Sequence, residues 1–192
     1  MSFVINKVIQ DFMVGDKDHR LCQQTKDEMM ALTDTAATVH NGLIVEIGRR
    51  FGGSMVLLAL SSPTSQIISI DPSPTYLKDA IKLAEKYEVM DRCTLIVSQS
   101  QVVHKWQYGA IDLLFIDGNH ALNAAYKDLK LWVPRVKTQG SIMMHDIGHG
   151  PYAGIRTCTK ALQQYLQENT NLQPLKHTYT LWIGKKTNSS IK

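Results

Sequence analysis

Cysteine is scarce in this chain: only Cys22, Cys93 and Cys158 occur among 192 residues. An odd number with no C-x-x-C pair excludes a disulfide framework and a zinc–thiolate site, and it fits a reducing, cytoplasmic setting. Long apolar runs are also missing. None approaches the ~20 residues of a membrane-spanning helix. The opening MSFVINKVIQDFMVGDK has no continuous apolar core of a signal peptide. Neither sign of charge dominates, since 21 Lys and Arg against 17 Asp and Glu leave +4. The basic residues are scattered. The last run, Lys185-Lys186 to Lys192, lies among Thr, Asn and Ser and reads as a solvated tail, so neither a membrane nor a nucleic-acid partner is indicated. Repeats, low-complexity segments and linkers are absent too. At 44% hydrophobic and 20% charged residues the composition is that of an ordinary globular protein. Residues 1–192 are expected to form one domain around one core.

What is present is organised around LIVEIGRRFGGS, Leu43 to Ser54. An apolar run, an acid, a glycine turn and a glycine pair opening a helix are the order of a buried parallel strand feeding a nucleotide-binding turn. The spacing of Gly48, Gly52 and Gly53 is G-x-x-x-G-G, unlike the dinucleotide fingerprint G-x-G-x-x-G. The Glu46 carboxylate would repel a pyrophosphate and attract a cation. That favours a ligand with a positive group, such as the amino end of S-adenosylmethionine.

The first 17 residues read as mixed, with Met13-Val14-Gly15 as a turn and a flap-like role. Asp18 to His40 reads as a helix, so residues 1–40 form an N-terminal helical segment suited to a lid. Strands are then expected at Leu43–Ile47, Gln66–Ile70, Cys93–Val97, Ile111–Ile116 and Ser141–Met144. Helices are expected at Gly53–Leu60, Pro72–Tyr87, Ser98–Trp106, Ala121–Val133 and Gly154–Gln167. Leu172–Lys176 and Tyr179–Ile183 read as a closing pair of strands. Five βα units with short connections predict an α/β, Rossmann-like three-layer sandwich. Its seven-stranded sheet is mostly parallel with an antiparallel edge hairpin.

In such sheets ligands sit beyond the carboxyl ends of the strands. Polar residues stand at those ends here: Glu46, Asp71, Ser98-Gln99, Asp117 with Asn119 and His120, and His145-Asp146. Asp71 falls 23 residues after Gly48, where an acid commonly takes ribose hydroxyls. Its bland alternative is to cap a helix starting at Pro72-Ser73. The same alternative applies to every strand-end acid taken singly.

LIVEIGRRFGGS, IISIDPSPTYLKDA, VSQS and IDLLFIDGNHALNAAYKDLKLWVPRVKTQGSIMMHDI together resemble the class I S-adenosylmethionine-dependent methyltransferases over roughly residues 40–150. The resemblance is to the small-molecule O-methyltransferases, of the catechol type and of the antibiotic and sugar-tailoring type. It implies that Glu46 holds the amino group of the cofactor and that Gly48, Gly52 and Gly53 let it approach the backbone. Ser54 would contact its carboxylate at a helix start. Asp71 and Pro72 would lie along the ribose, Ser98 and Gln99 would frame the adenine, and Asp117 would lie beside the cofactor. The reaction implied is methyl transfer to a hydroxyl of a small molecule, in a protein that often pairs as a homodimer.

Asp117 and Asp146 end neighbouring strands and could converge on Mg²⁺ or another divalent ion. His145 stands just before Asp146, where the sugar-tailoring type has Glu, and would turn the site towards softer metals, while Ile147 follows Asp146 where the catechol type has Asn. His120 stands where both branches carry a base, and an imidazole with a pKa near ~6.5 can take a hydroxyl proton. His149 and His145 are secondary candidates for that role. His19, His40, His104 and His177 have no sequence neighbour that suggests chemistry. Two other readings remain open: a metal-dependent hydroxylase-like or hydrolytic enzyme on the same scaffold, and a cofactor-binding protein without catalysis.

Overall fold

A computed structural model describes residues 2–14, 21–107, 109–150 and 152–188. Five parallel strands form first: β1 (Leu43–Ile47), β2 (Gln66–Asp71), β3 (Cys93–Val97), β4 (Ile111–Ile116) and β5 (Val136–Met144). The hairpin β6 (Leu172–Thr178) and β7 (Leu181–Lys186) completes a seven-stranded sheet in the order β3-β2-β1-β4-β5-β7-β6. β7 runs antiparallel to both β5 and β6. The expected fold class is therefore the observed one. Lys185 and Lys186 belong to β7 rather than to a tail.

The central strands β1 and β4 are buried on both faces, as a parallel sheet between helical layers requires. Period-two alternation divides their side chains. Ile44, Leu113 and Phe115 join one core with α1 (Ser2–Phe12), α2 (Lys26–Ala36), α3 (Gly53–Ser61) and α4 (Leu77–Lys86). Val45, Ile47, Leu114 and Ile116 join the other, with α5 (Ser100–Val103), α6 (Leu122–Trp132) and α7 (Ala153–Glu168). The same alternation turns Glu46 towards α3, a fact that matters below.

Among the boundaries that differ from expectation, three concern helix starts. The opening segment is a helix, α1, docked into the core by Val8, Ile9 and Phe12. The next helix begins at Lys26, not Asp18; Asp18, like Gly15 and His19, lies outside the described residues. Its start is set by a capping box, in which Glu28 N donates to Thr25 Oγ1 while Thr25 N donates to Glu28 Oε2. Residues 21–25 are left free to cross over the carboxyl ends of the strands. Finally, α4 begins at Leu77, five residues after Pro72. Each proline drives the residue before it out of the helical region, so Asp71 and Ser73 are held extended and Pro74 delays the first turn.

The chain runs from β1 outward to β2 and β3, then returns across to β4. The crevice between β1 and β4 is thus the point where strand order reverses, the usual ligand position in this architecture.

Candidate active site

A cavity of about 950 Å³ opens at that crevice. Its floor is the turn after β1. Gly48 has φ +97°, and a Cβ there would stand 2.0 Å from the Asp117 carbonyl oxygen, so only glycine lets the β1 and β4 turns touch. The turn is held by Asp71, at the end of β2. Its Oδ2 accepts hydrogen bonds from Arg49 N at 3.0 Å and Arg50 N at 2.9 Å, and its Oδ1 accepts from Ser73 N at 2.8 Å. Asp71 therefore caps no helix; it ties two turns together and still borders the cavity. Arg49 lies buried beneath, its guanidinium donating to the carbonyls of Ser69 and Ile96.

Glu46 does not reach the cavity wall. It is fully buried beneath α3, and its carboxylate accepts hydrogen bonds from Ser54 Oγ and Ser69 Oγ. Burial pushes its pKa up to about 7, against the lowering effect of those two bonds. The cause is strand parity: the residue beside Ile47 must face the opposite layer. Ser54 does line the cavity, whereas Gly52 and Gly53 do not. Gly53 serves packing, since a Cβ there would meet the Leu21 carbonyl at 2.1 Å. Of the pair expected at the next strand end, Gln99 lines the cavity and Ser98 does not; Ser100 and Gln101 take its place.

Those two residues lead to a group that sequence reasoning passed over. Asp128, on α6 and 1% exposed, accepts hydrogen bonds from Ser100 Oγ at 2.5 Å and Gln101 Nε2 at 2.7 Å. Burial raises its pKa to about 6, against both bonds.

At the other end of the cavity the acids and imidazoles of β4 and β5 meet. His120 Nε2 is 3.0 Å from Asp146 Oδ2 and 3.8 Å from Asp117 Oδ1. Asp117, His120 and Asp146 each offer one ligand atom within 4.8 Å of the others. Two hard oxygens and one imidazole nitrogen suit Mn²⁺ or Fe²⁺ at least as well as Mg²⁺. The expected set therefore changes in one member: His120 belongs to the group that could hold an ion, and His145 stands behind it. His145 Nδ1 is 3.3 Å from both Asp117 Oδ1 and Asp146 Oδ2, yet it makes a directed hydrogen bond to neither. Its Nε2 faces Glu28 Oε1 at 3.4 Å and Thr180 Oγ1 at 3.3 Å.

The charges hold one another. Hydrogen bonds to Asp117 and Asp146 raise His120 to about 10. Burial works against a charged His145, but Asp117 and then Asp146 and Glu28 outweigh it, so it too is raised. Burial is likewise overcome at Glu28, which His145 and Thr180 draw down to about 2. Asp117 and Asp146 are lowered for the same reason.

Glu28, Gln24 and Thr180 had no signal of their own in the sequence. Gln24 Nε2 donates to Asp117 Oδ2 at 2.5 Å, and Thr180 donates to Glu28 Oε1 through both N, at 2.8 Å, and Oγ1, at 2.6 Å. They reach the site from residues 93 and 152 positions away. Only the T-x-x-E spacing of Thr25 and Glu28 was there to be read. His149 is exposed and off the cavity.

A family described as a methyltransferase domain matches residues 45–147, more than half of the chain. The chain belongs to this family. Solved structures share the fold of the methyltransferase domain at low identity. One is the O-methyltransferase TomG of Streptomyces achromogenes, involved in tomaymycin synthesis and solved with S-adenosylmethionine: 14% identity, TM-score 0.72, 96% of this chain and 89% of that one. Another is the Podospora anserina methyltransferase PaMTH1 bound to S-adenosylhomocysteine, at 16% identity and TM-score 0.73, covering 96% and 88%. A third is an S-adenosylmethionine-dependent O-methyltransferase of Thermotoga maritima, at 13% and 0.71, covering 96% and 73%. Among the described residues no helix is long and apolar enough to cross a membrane.

Proposed function

We propose that this methyltransferase domain, acting as one unit over residues 1–192, moves a methyl group from S-adenosylmethionine to a hydroxyl oxygen of a small molecule, assisted by a divalent ion. The observation that carries the reading is one cavity with two unlike ends. Asp71 and Gln99 to Gln101 border one end, the Asp117–His120–Asp146 group stands at the other, and Gly48 lies between them.

The residues fit the cofactor. The cavity is large enough for a nucleoside with an amino-acid tail. Asp71 keeps lone pairs for ribose hydroxyls after its three backbone bonds. Ser54 lines the cavity at the start of α3, where the backbone N–H groups of a helix N-terminus favour the cofactor's carboxylate; its own hydroxyl proton goes to Glu46. Glu46 contributes from beneath, by holding the Ser54 side chain in place. S-adenosylmethionine supplies an activated methyl group, so the chain's main task is to hold donor and acceptor in line.

Asp117, His120 and Asp146 would hold the ion, whose charge lowers the pKa of an acceptor hydroxyl. Without it, His120 keeps its proton at neutral pH between two carboxylates, so it orients an acceptor oxygen as a donor rather than serving as the base. Tyr152, Ile155, Tyr179 and Thr180 border this end and would meet the acceptor. The acidic mouth suits a small hydroxyl compound better than a nucleic acid. A homodimer in the cytoplasm is part of the same proposal.

Calorimetry with S-adenosylhomocysteine tests it. Binding in the micromolar range is expected; none at millimolar ligand would end the reading.

A further inference from the structure

We propose that Asp128 selects the base of the bound nucleoside: its Oδ2 accepts a hydrogen bond from the 6-amino group of an adenine. This rests on the cofactor reading above, and goes on to name a specificity-determining residue for it.

Asp128 stands four residues, about one turn of α6, beyond Ala124, and both border the cavity. A helix that begins next to the ion-binding group therefore runs along the cavity with a small residue and then an acid on its inner face. The acid has no cationic partner among the described residues. Its two donors, Ser100 Oγ and Gln101 Nε2, are neutral, and both bond to Oδ1. Those two hydrogen bonds occupy Oδ1 and leave Oδ2 as the acceptor for a donor in the cavity. A carboxylate buried to 99% is costly unless its oxygens are satisfied. A neutral N–H donor on a flat ring meets that need, with Ala124, Ile70 and Pro72 as the surrounding apolar wall. A ring carrying a carbonyl in that position would set lone pairs against lone pairs.

The discriminating experiment compares S-adenosylhomocysteine with two analogues, one with a 6-oxo group and one with hydrogen at purine C6. Wild-type protein should bind the amino compound roughly 10- to 100-fold more tightly than either, the range expected for one hydrogen bond to a charged group. Asp128→Asn offers an N–H towards a 6-oxo group, so its preference for amino over oxo should shrink to within roughly threefold. Equal wild-type affinity for all three compounds overturns the inference whatever the variant does. So does an Asp128→Asn protein that weakens all three alike, because that is the mark of a merely structural acid. Should wild-type protein bind none of them, the cofactor reading falls first and takes this inference with it.

Discussion

At the scale of single residues, the site depends on which way a side chain faces at the end of a strand. Gly48, Asp71, Asp117, His120 and Asp146 were legible because they leave the strand tips, where only turn geometry decides. Glu46 misled because it lies within the strand, one step before the tip, and period two turns it under α3. Its buried acid has a measurable consequence. Below an unfolded pKa of about 4.5 the group is neutral in both states. Between 4.5 and about 7 only the unfolded chain releases the proton, so wild-type stability falls as pH rises, by about 3 kcal/mol in all. Glu46→Gln removes that slope; urea titrations at pH 4.5 and 7.5 should show the gap moving in the variant's favour, and a constant gap would mean the acid is ionised throughout. The His120–Asp146 contact gives a second prediction. Asp146 has φ +59°, a conformation asparagine also tolerates. Asp146→Asn should therefore keep the backbone while lowering the His120 pKa from about 10, though Asp117 still holds it above an ordinary histidine. Imidazole NMR titration of metal-free protein reads this directly, and an unmoved pKa would deny the ion pair.

At the scale of elements, hydrophobic pattern placed six of the seven strands within two residues of their observed starts. β5 begins five residues early because Lys137 to Gln139, near the strand's amino end, are polar and exposed and carried no strand signal. The helices were harder. Val8, Ile9 and Phe12 have helical spacing, yet the short window between polar residues hid α1. The start of α2 was written in Thr25 and Glu28, but apolar Leu21 extended the apparent helix past its own cap. Removing that cap with Thr25→Ala should cost about 1 kcal/mol in denaturant unfolding. A loss below ~0.3 kcal/mol would mean that packing alone sets the boundary.

At the scale of the whole molecule, topology assembles what no local pattern could. Gln24 and Glu28, Asp128, and Thr180 come from three distant stretches, and the chain's order in the sheet brings them round one crevice. Their roles were invisible in the sequence because each is an ordinary polar residue until its partner arrives. The group that could hold an ion is likewise shared between the ends of β4 and β5, so it should report on the intact fold. Adding Mn²⁺ to metal-free protein should raise the unfolding temperature by mass action. The rise should vanish in Asp117→Asn, and an equal rise in that variant would place the ion elsewhere.

Glu28 uses both carboxylate oxygens: one closes the first turn of α2, and the other grips Thr180 at the tip of the last hairpin. The two extremities of the chain are thus latched through one side chain. Replacing that one side chain, as in Glu28→Ala, would loosen the start of α2 and the tip of the last hairpin together.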